Sequence, residues 1–170
     1  LQIRPDDRIA LVGANGLGKS TLLHHLLPQA LVPEERLLNI PQEISEDESR
    51  RIHEELKRLD DVPLGRVMTL VSRLGSRPAR LLASTTPSPG EIRKILLARG
   101  VARGPHLIVM DEPTNHLDLP SIECLEAALA EAPCALLLVS HDARFLSKLT
   151  RTRWKLTPTT PTQIELNVVL

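Results

Sequence analysis

The chain is poor in aromatic residues: it has no tyrosine, and Phe145 and Trp154 are its only aromatic side chains. It begins at Leu1 instead of methionine, already close to a strand edge, and together these features predict a piece of something longer. Cysteine is equally scarce. Cys124 and Cys134 lie ten positions apart without a second ligand pair, which excludes both a zinc site and a disulfide framework. No charge of one sign dominates, because 21 basic side chains balance 21 acidic ones. Composition therefore gives no support for a nucleic-acid-coating or membrane-surface protein, and any such contact must come from a local patch. Long apolar runs are missing too. Ala135 to Val139 is among the longest aliphatic stretches, far below the roughly 20 residues that span a bilayer. With no basic-then-apolar leader at the N-terminus, the expectation is a cytoplasmic protein with two reduced thiols and no direct membrane insertion. At 170 residues and 42% apolar, the chain is long enough for one domain, 1–170, with a real core.

What is present is a phosphate-cradling loop. Gly13-Ala14-Asn15-Gly16-Leu17-Gly18-Lys19-Ser20-Thr21 fits G-x-x-x-x-G-K-[ST] at every fixed position. Ile9 to Val12 before it reads as a buried parallel strand, and Ser20 to Leu27 after it reads as a helix, ended by Pro28. In that setting Gly13, Gly16 and Gly18 let the backbone turn its N–H groups inward, while the helix start adds a positive end. Lys19 supplies a mobile charge for the β- and γ-phosphates of a nucleoside triphosphate, and the Ser20 hydroxyl suits Mg²⁺. The competing reading is a glycine-rich turn with a surface lysine, which the flanking strand and helix argue against.

Two further apolar runs, Leu107 to Met110 and Ala135 to Val139, are continuous and not alternating, as expected for parallel strands covered on both faces. A helix over 121–130 lies between them, so the region is a βαβ unit of an α/β domain. The middle of the chain differs. Glu46 to Leu59 is an amphipathic helix with Glu46/Arg50 and Glu54/Arg58 as i,i+4 pairs, and Val67 to Leu74 predicts a second one ending at Gly75. Residues 43–86 thus look like a small helical insertion.

The strand Leu107 to Met110 runs into Asp111 and Glu112, then Pro113. Strand ends are where α/β sheets place ligands. Asp111 suits a Mg²⁺-anchoring role, and Glu112 can orient or deprotonate an attacking water; the bland alternative is a solvated acidic turn.

Asp111-Glu112-Pro113-Thr114-Asn115-His116-Leu117-Asp118, followed by a strand and Ser140-His141-Asp142, resembles the nucleotide-binding cassette of the ABC ATPases. The Glu-Pro-Thr-Asn-His-Leu-Asp form is similar to the ABC-F subfamily, soluble tandem-cassette proteins that act on the ribosome. The likeness covers almost the entire chain. It implies a P-loop NTPase fold: a mostly parallel sheet covered by helices, with a small helical subdomain between Q-loop and signature motif, here without the cassette's N-terminal strands. It also implies roles. Gln42 falls on the Q-loop glutamine that meets Mg²⁺ and the lytic water, His141 on the switch histidine at the γ-phosphate, and Asp118 on the D-loop aspartate at the dimer interface. Ser88, Gly90 and Glu91 fall on the signature, which touches ATP held by an opposite cassette. Asn15 and Thr21 complete the ATP-binding loop with Gly13, Gly16, Gly18, Lys19 and Ser20. Pro87 and Pro89 depart from the usual Leu and second Gly, and the A-loop aromatic that stacks on adenine has no counterpart here.

The implied activity is hydrolysis of MgATP to ADP and phosphate by a cassette pair, within an ABC-F-like translation or ribosome-protection factor. The alternatives are the ATPase subunit of a membrane transporter and a nucleotide-gated dimerisation module with little turnover. Thr114-Asn115-His116 speaks against the transporter. Arg144, Lys148, Arg151, Arg153 and Lys155 form a basic stretch that reads either as an rRNA phosphate contact or as a solvated helix face.

Overall fold

The computed structural model describes residues 2–115, 117–160 and 163–169. In them a six-stranded sheet runs in the order β2-β3-β4-β1-β5-β6, built from β1 (Arg8–Val12), β2 (Leu37–Ile40), β3 (Leu107–Asp111), β4 (Ala135–Val139), β5 (Thr152–Thr160) and β6 (Gln163–Val169). Every neighbouring pair is parallel except β5 and β6, which form an antiparallel hairpin at one edge. The helices are α1 (Lys19–Leu26), α2 (Glu46–Lys57), α3 (Asp61–Arg73), α4 (Pro78–Ala83), α5 (Pro89–Ala102), α6 (Leu119–Ala130) and α7 (Ala143–Leu149). The fold is α/β with a mostly parallel sheet.

The continuous apolar strands have a physical cause. Along β1, β3 and β4 successive side chains enter two different cores: Ala10, Ile108, Met110, Leu136 and Leu138 face one, while Ile9, Leu11, Val109, Leu137 and Val139 face the other. The first core is roofed by α2, α3, α5, α6 and α7 through residues such as Leu56, Val71, Ile95, Leu129 and Phe145. The second is closed by Leu23 of α1 together with Trp154 and Leu156 of β5. With helices on both faces, neither face of the central strands needs polar residues.

Three strands carry weaker signals. β2 is the outer strand beside β3, short and interrupted by the exposed Asn39. β5 alternates: Trp154 and Leu156 point into the core while Arg153 and Lys155 face out, so the supposed basic stretch is partly a half-buried strand. Two more members are tied to α6, Lys148 to Glu126 and Arg144 to Glu123 at 4.0 Å, so the stretch does not form one free basic face. β6 has no buried residue at all.

Between β2 and β3 the chain makes α2, α3, α4 and α5. The Ser45 hydroxyl caps α2 by accepting the Glu48 N–H at 3.2 Å. On its outer face Arg58 lies 3.6 Å from Glu54, but Arg50 turns to Asp47 at 2.8 Å, a shorter reach than the expected Glu46. These exposed pairs are each worth only a few tenths of a kcal/mol. The packing of Ile52, Leu56, Val67 and Val71 against α5 is what seats the helices. α5 also crosses β2 closely: a Cβ on Gly100 would stand 2.4 Å from the Leu38 side chain.

Phe145 is fully buried and is one of only two aromatics in the chain. Phe145→Ala should therefore cost about 3–5 kcal/mol. Urea melts should show a lowered midpoint with an unchanged slope.

Candidate functional site

The ends of four adjacent strands β2, β3, β4 and β1 carry Gln42, Asp111 and Glu112, His141, and the Gly13–Thr21 loop, in that order along the sheet. Because these strands are parallel, all of their C-terminal ends lie on one side, so residues scattered over 128 sequence positions share one rim.

Geometry explains the loop's glycines. Gly16 and Gly18 have φ of +80° and +78°, a left-handed conformation that a Cβ would strain. Gly13 has a different reason: a Cβ there would lie 3.1 Å from the Cβ and the carbonyl oxygen of Leu156 on β5. Gly18 occupies the cap position of α1, and no side chain caps that helix. Its first N–H groups are left facing the loop, as an anion site requires. Lys19 lies back over the loop, donating to the Gly13 carbonyl at 2.9 Å and the Ala14 carbonyl at 3.3 Å. Asn15 is exposed at the loop tip and Thr21 is exposed on α1.

Ser20 and Asp111 are 91 positions apart, yet the Ser20 hydroxyl donates to Asp111 Oδ2 at 2.6 Å. Asp111 is 7% exposed at the end of β3. A hydroxyl beside a buried carboxylate is a hard-oxygen pair of the kind Mg²⁺ takes, so these residues fit the ion that accompanies a nucleoside triphosphate.

Glu112 follows at once, with φ of 48°, uncommon for a residue bearing a side chain. The conformation is held on several sides: the Glu112 N–H donates to the Val139 carbonyl at 2.8 Å, and its own carbonyl accepts from Asn115 N–H at 3.2 Å. The carboxylate Oε2 accepts the His141 N–H at 3.3 Å. Oε1 is the buried side-chain polar atom that finds no hydrogen bond among the described residues. His141 Nε2 stands 3.3 Å from it, without hydrogen-bond alignment. An acceptor kept dry and unpaired is costly, which is a reason to look for a proton-bearing ligand there. The His141 ring itself remains half open to solvent.

The other positions are more dispersed. Gln42 is exposed in the loop after β2. Ser88, Gly90 and Glu91 open α5 as a complete capping box: Ser88 Oγ accepts the Glu91 N–H at 3.3 Å and Ser88 N–H donates to Glu91 Oε2 at 2.9 Å. Pro89 occupies the first helical position, where its missing N–H costs nothing. Among the described residues no hydrogen bond or ion pair joins these three to Lys19, Ser20 or Asp111. Asp118 caps α6 by accepting Ser121 N–H at 3.1 Å, and those bonds from Ser121, with Lys94 nearby, hold its carboxyl below the usual range. His116 lies outside the described residues.

One residue of the site has no motif to announce it. Arg93, 5% exposed on α5, donates to the Asn115 carbonyl at 2.7 Å, to the Glu112 carbonyl at 3.4 Å and to the Gln42 carbonyl. Burial lowers its pKa, opposed by the charge of Asp111. Among the described residues there is no His, Cys, Asp and Glu cluster able to hold a further metal, and Cys124 and Cys134 are free thiols.

A family model described as ABC transporter matches residues 1–115. The ribosome protection protein VmlR of Bacillus subtilis (strain 168) is 35% identical over 163 residues, which are 89% of this chain and 29% of VmlR. ATP-binding cassette sub-family F member 2 of Mus musculus is 32% identical over 166 residues, 88% of this chain and 26% of the mouse protein. The chain thus spans less than a third of the length of either relative. Among solved structures, one of RNase-L Inhibitor superposes with a TM-score of 0.74 at 21% identity, covering 96% of this chain and 34% of that one, a likeness of fold. No helix among the described residues is long and apolar enough to cross a membrane.

Proposed function

The chain belongs to the ABC transporter family, and on that premise we propose that it binds ATP with Mg²⁺ and hydrolyses it, as one cassette of a larger ABC-F-like factor working at the ribosome in the cytoplasm. The observation that carries the reading is the 2.6 Å contact of Ser20 with Asp111, flanked by Lys19 on one side and Glu112 on the other. Two segments that the motifs leave far apart meet where a triphosphate and its cation need them.

In this reading the loop N–H groups and Lys19 hold the β- and γ-phosphates, with Gly13, Asn15, Gly16, Gly18 and Thr21 shaping the cradle. Ser20, Asp111 and Gln42 would hold Mg²⁺, which would neutralise charge developing on the phosphates. Glu112 accepts the proton of the attacking water at its unpaired Oε1, and His141, neutral, donates to the γ-phosphate from its open ring edge. The signature residues Ser88, Gly90 and Glu91 serve the nucleotide of a second cassette, and Asp118 lies at the face between the two. Ribosome association, with rRNA as a contact, draws its support from the name of VmlR and from the Glu112-to-Asp118 sequence form.

Lys19 gives the direct test. Its ammonium donates to two loop carbonyls, which holds the charge over the loop. Lys19→Ala should lower MgATP affinity by at least about tenfold, or ~1.4 kcal/mol, measured by calorimetry. Unchanged affinity would sink the assignment of this loop to phosphate.

A further inference from the structure

Arg93 is a buried guanidinium whose hydrogen bonds go to backbone carbonyls in two different loops. Among the described residues it forms no ion pair. Burying a guanidinium without a carboxylate partner is expensive, and an apolar side chain at this position of α5 would be buried at less cost. What the arginine offers instead is a rigid planar fork whose donors can hold several acceptors in one fixed relation.

The acceptors matter by where they lie. The Gln42 carbonyl belongs to an exposed, irregular stretch between β2 and α2. The Glu112 carbonyl belongs to the residue with φ of 48°, and the Asn115 carbonyl to the residue whose N–H closes the same turn. Arg93 itself sits about half a helical turn beyond Glu91, the last member of the Ser88 capping box, on the helix that Ser88 starts. One side chain therefore ties the start of α5 to the loop of Gln42 and to the backbone that aims the Glu112 carboxylate.

We propose that Arg93 is a positioning residue, which fixes Gln42 and Glu112 relative to each other and transmits the placement of the α5 N-terminus to both. The proposal rests on the ATPase reading above. When Ser88 and its neighbours meet a nucleotide on a partner, any shift of α5 is carried by the fork to Glu112, so hydrolysis in one site responds to occupancy of the other. Misplacement of a reacting group by about 1 Å can cost about a hundredfold in rate, so a small displacement suffices.

Arg93→Lys keeps the charge and reaches one carbonyl at a time; Arg93→Gln removes the charge and keeps an amide donor. In the intact protein both should lower kcat for phosphate release by about tenfold or more while MgATP affinity stays within about twofold, because the Gly13–Thr21 loop is untouched. Hydrogen exchange on the nucleotide-free protein should quicken in peptides containing Gln42 and Glu112–Asn115 and stay slow in α5 itself. Added guanidinium ion at millimolar concentration should restore part of the lost rate in Arg93→Ala and none in the wild type. A wild-type kcat in Arg93→Lys and Arg93→Gln with unchanged exchange at Gln42 overturns the proposal. So does loss of the cooperative thermal transition in both variants, which would make Arg93 a requirement for folding. If the wild-type protein releases no phosphate, the ATPase reading fails first, and the exchange pattern still decides whether Arg93 links the two loops.

Discussion

Glu112→Gln is expected to retain MgATP and to release phosphate about a hundredfold or more slowly than the wild type. The substitution is isosteric, so the backbone bonds that hold φ at 48° persist, as does the place of the side chain beside His141 N–H. What changes is Oε1, the buried acceptor without a hydrogen bond: as a carboxylate oxygen it can take a proton from water, and as an amide it cannot. In the proposed function nucleotide binding falls to Lys19, Ser20 and Asp111, so affinity should stay within about twofold. An enzyme that binds but does not turn over accumulates in its ATP-loaded form. In sucrose-gradient sedimentation this variant, loaded with MgATP, should travel with ribosomal particles more than the wild type does. Wild-type phosphate release would reassign Glu112 as a structural residue, and a trapped form that ignores ribosomes would remove the ribosome from the reading while leaving the ATPase in place.

Ser88→Arg should abolish turnover and spare ATP binding to the single chain. Ser88 is exposed, opens α5 through its capping box and makes no polar contact with the Lys19 loop. A bulky cation at that helix start therefore cannot disturb the nucleotide held by its own chain, yet it blocks a facing nucleotide. On the proposal that two cassettes close before Glu112 works, specific activity of the wild type should in turn rise with protein concentration. Loss of the cap costs about 1 kcal/mol, and Ser88→Asn, which keeps a capping oxygen, controls for it. Activity independent of concentration down to nanomolar protein, with Ser88→Arg silent, would make this a self-contained enzyme.

The parts legible in the sequence are those whose signal is local. The Gly13–Thr21 loop and Asp111-Glu112 each spell their chemistry in consecutive residues, and β1, β3 and β4 announce burial on both faces by unbroken apolar runs. β5 was equally readable from the alternation of Arg153, Trp154, Lys155 and Leu156, but its charges draw the eye to a patch instead of a pleat. β2 and β6 lie at the two edges, where half the burial that marks a strand is missing. Arg93 was invisible for a deeper reason. Its partners are backbone carbonyls, which every residue has, so no residue type at Gln42, Glu112 or Asn115 betrays the contact.

β1 lies between β4 and β5, pairing Ile9 with Leu137 on one side and with Thr152 on the other. β1 therefore leaves the ribosome well ahead of both of these partners. Such distant pairing is slow to nucleate and leaves an unpaired apolar strand open to chaperones and to aggregation. Leu156, which leaves no room for a Cβ on Gly13, belongs to the same late strand β5. A growing chain thus closes the sheet beside its phosphate cradle only once β5 has arrived, so acquiring the ligand and joining β1 to its partners become linked events in time.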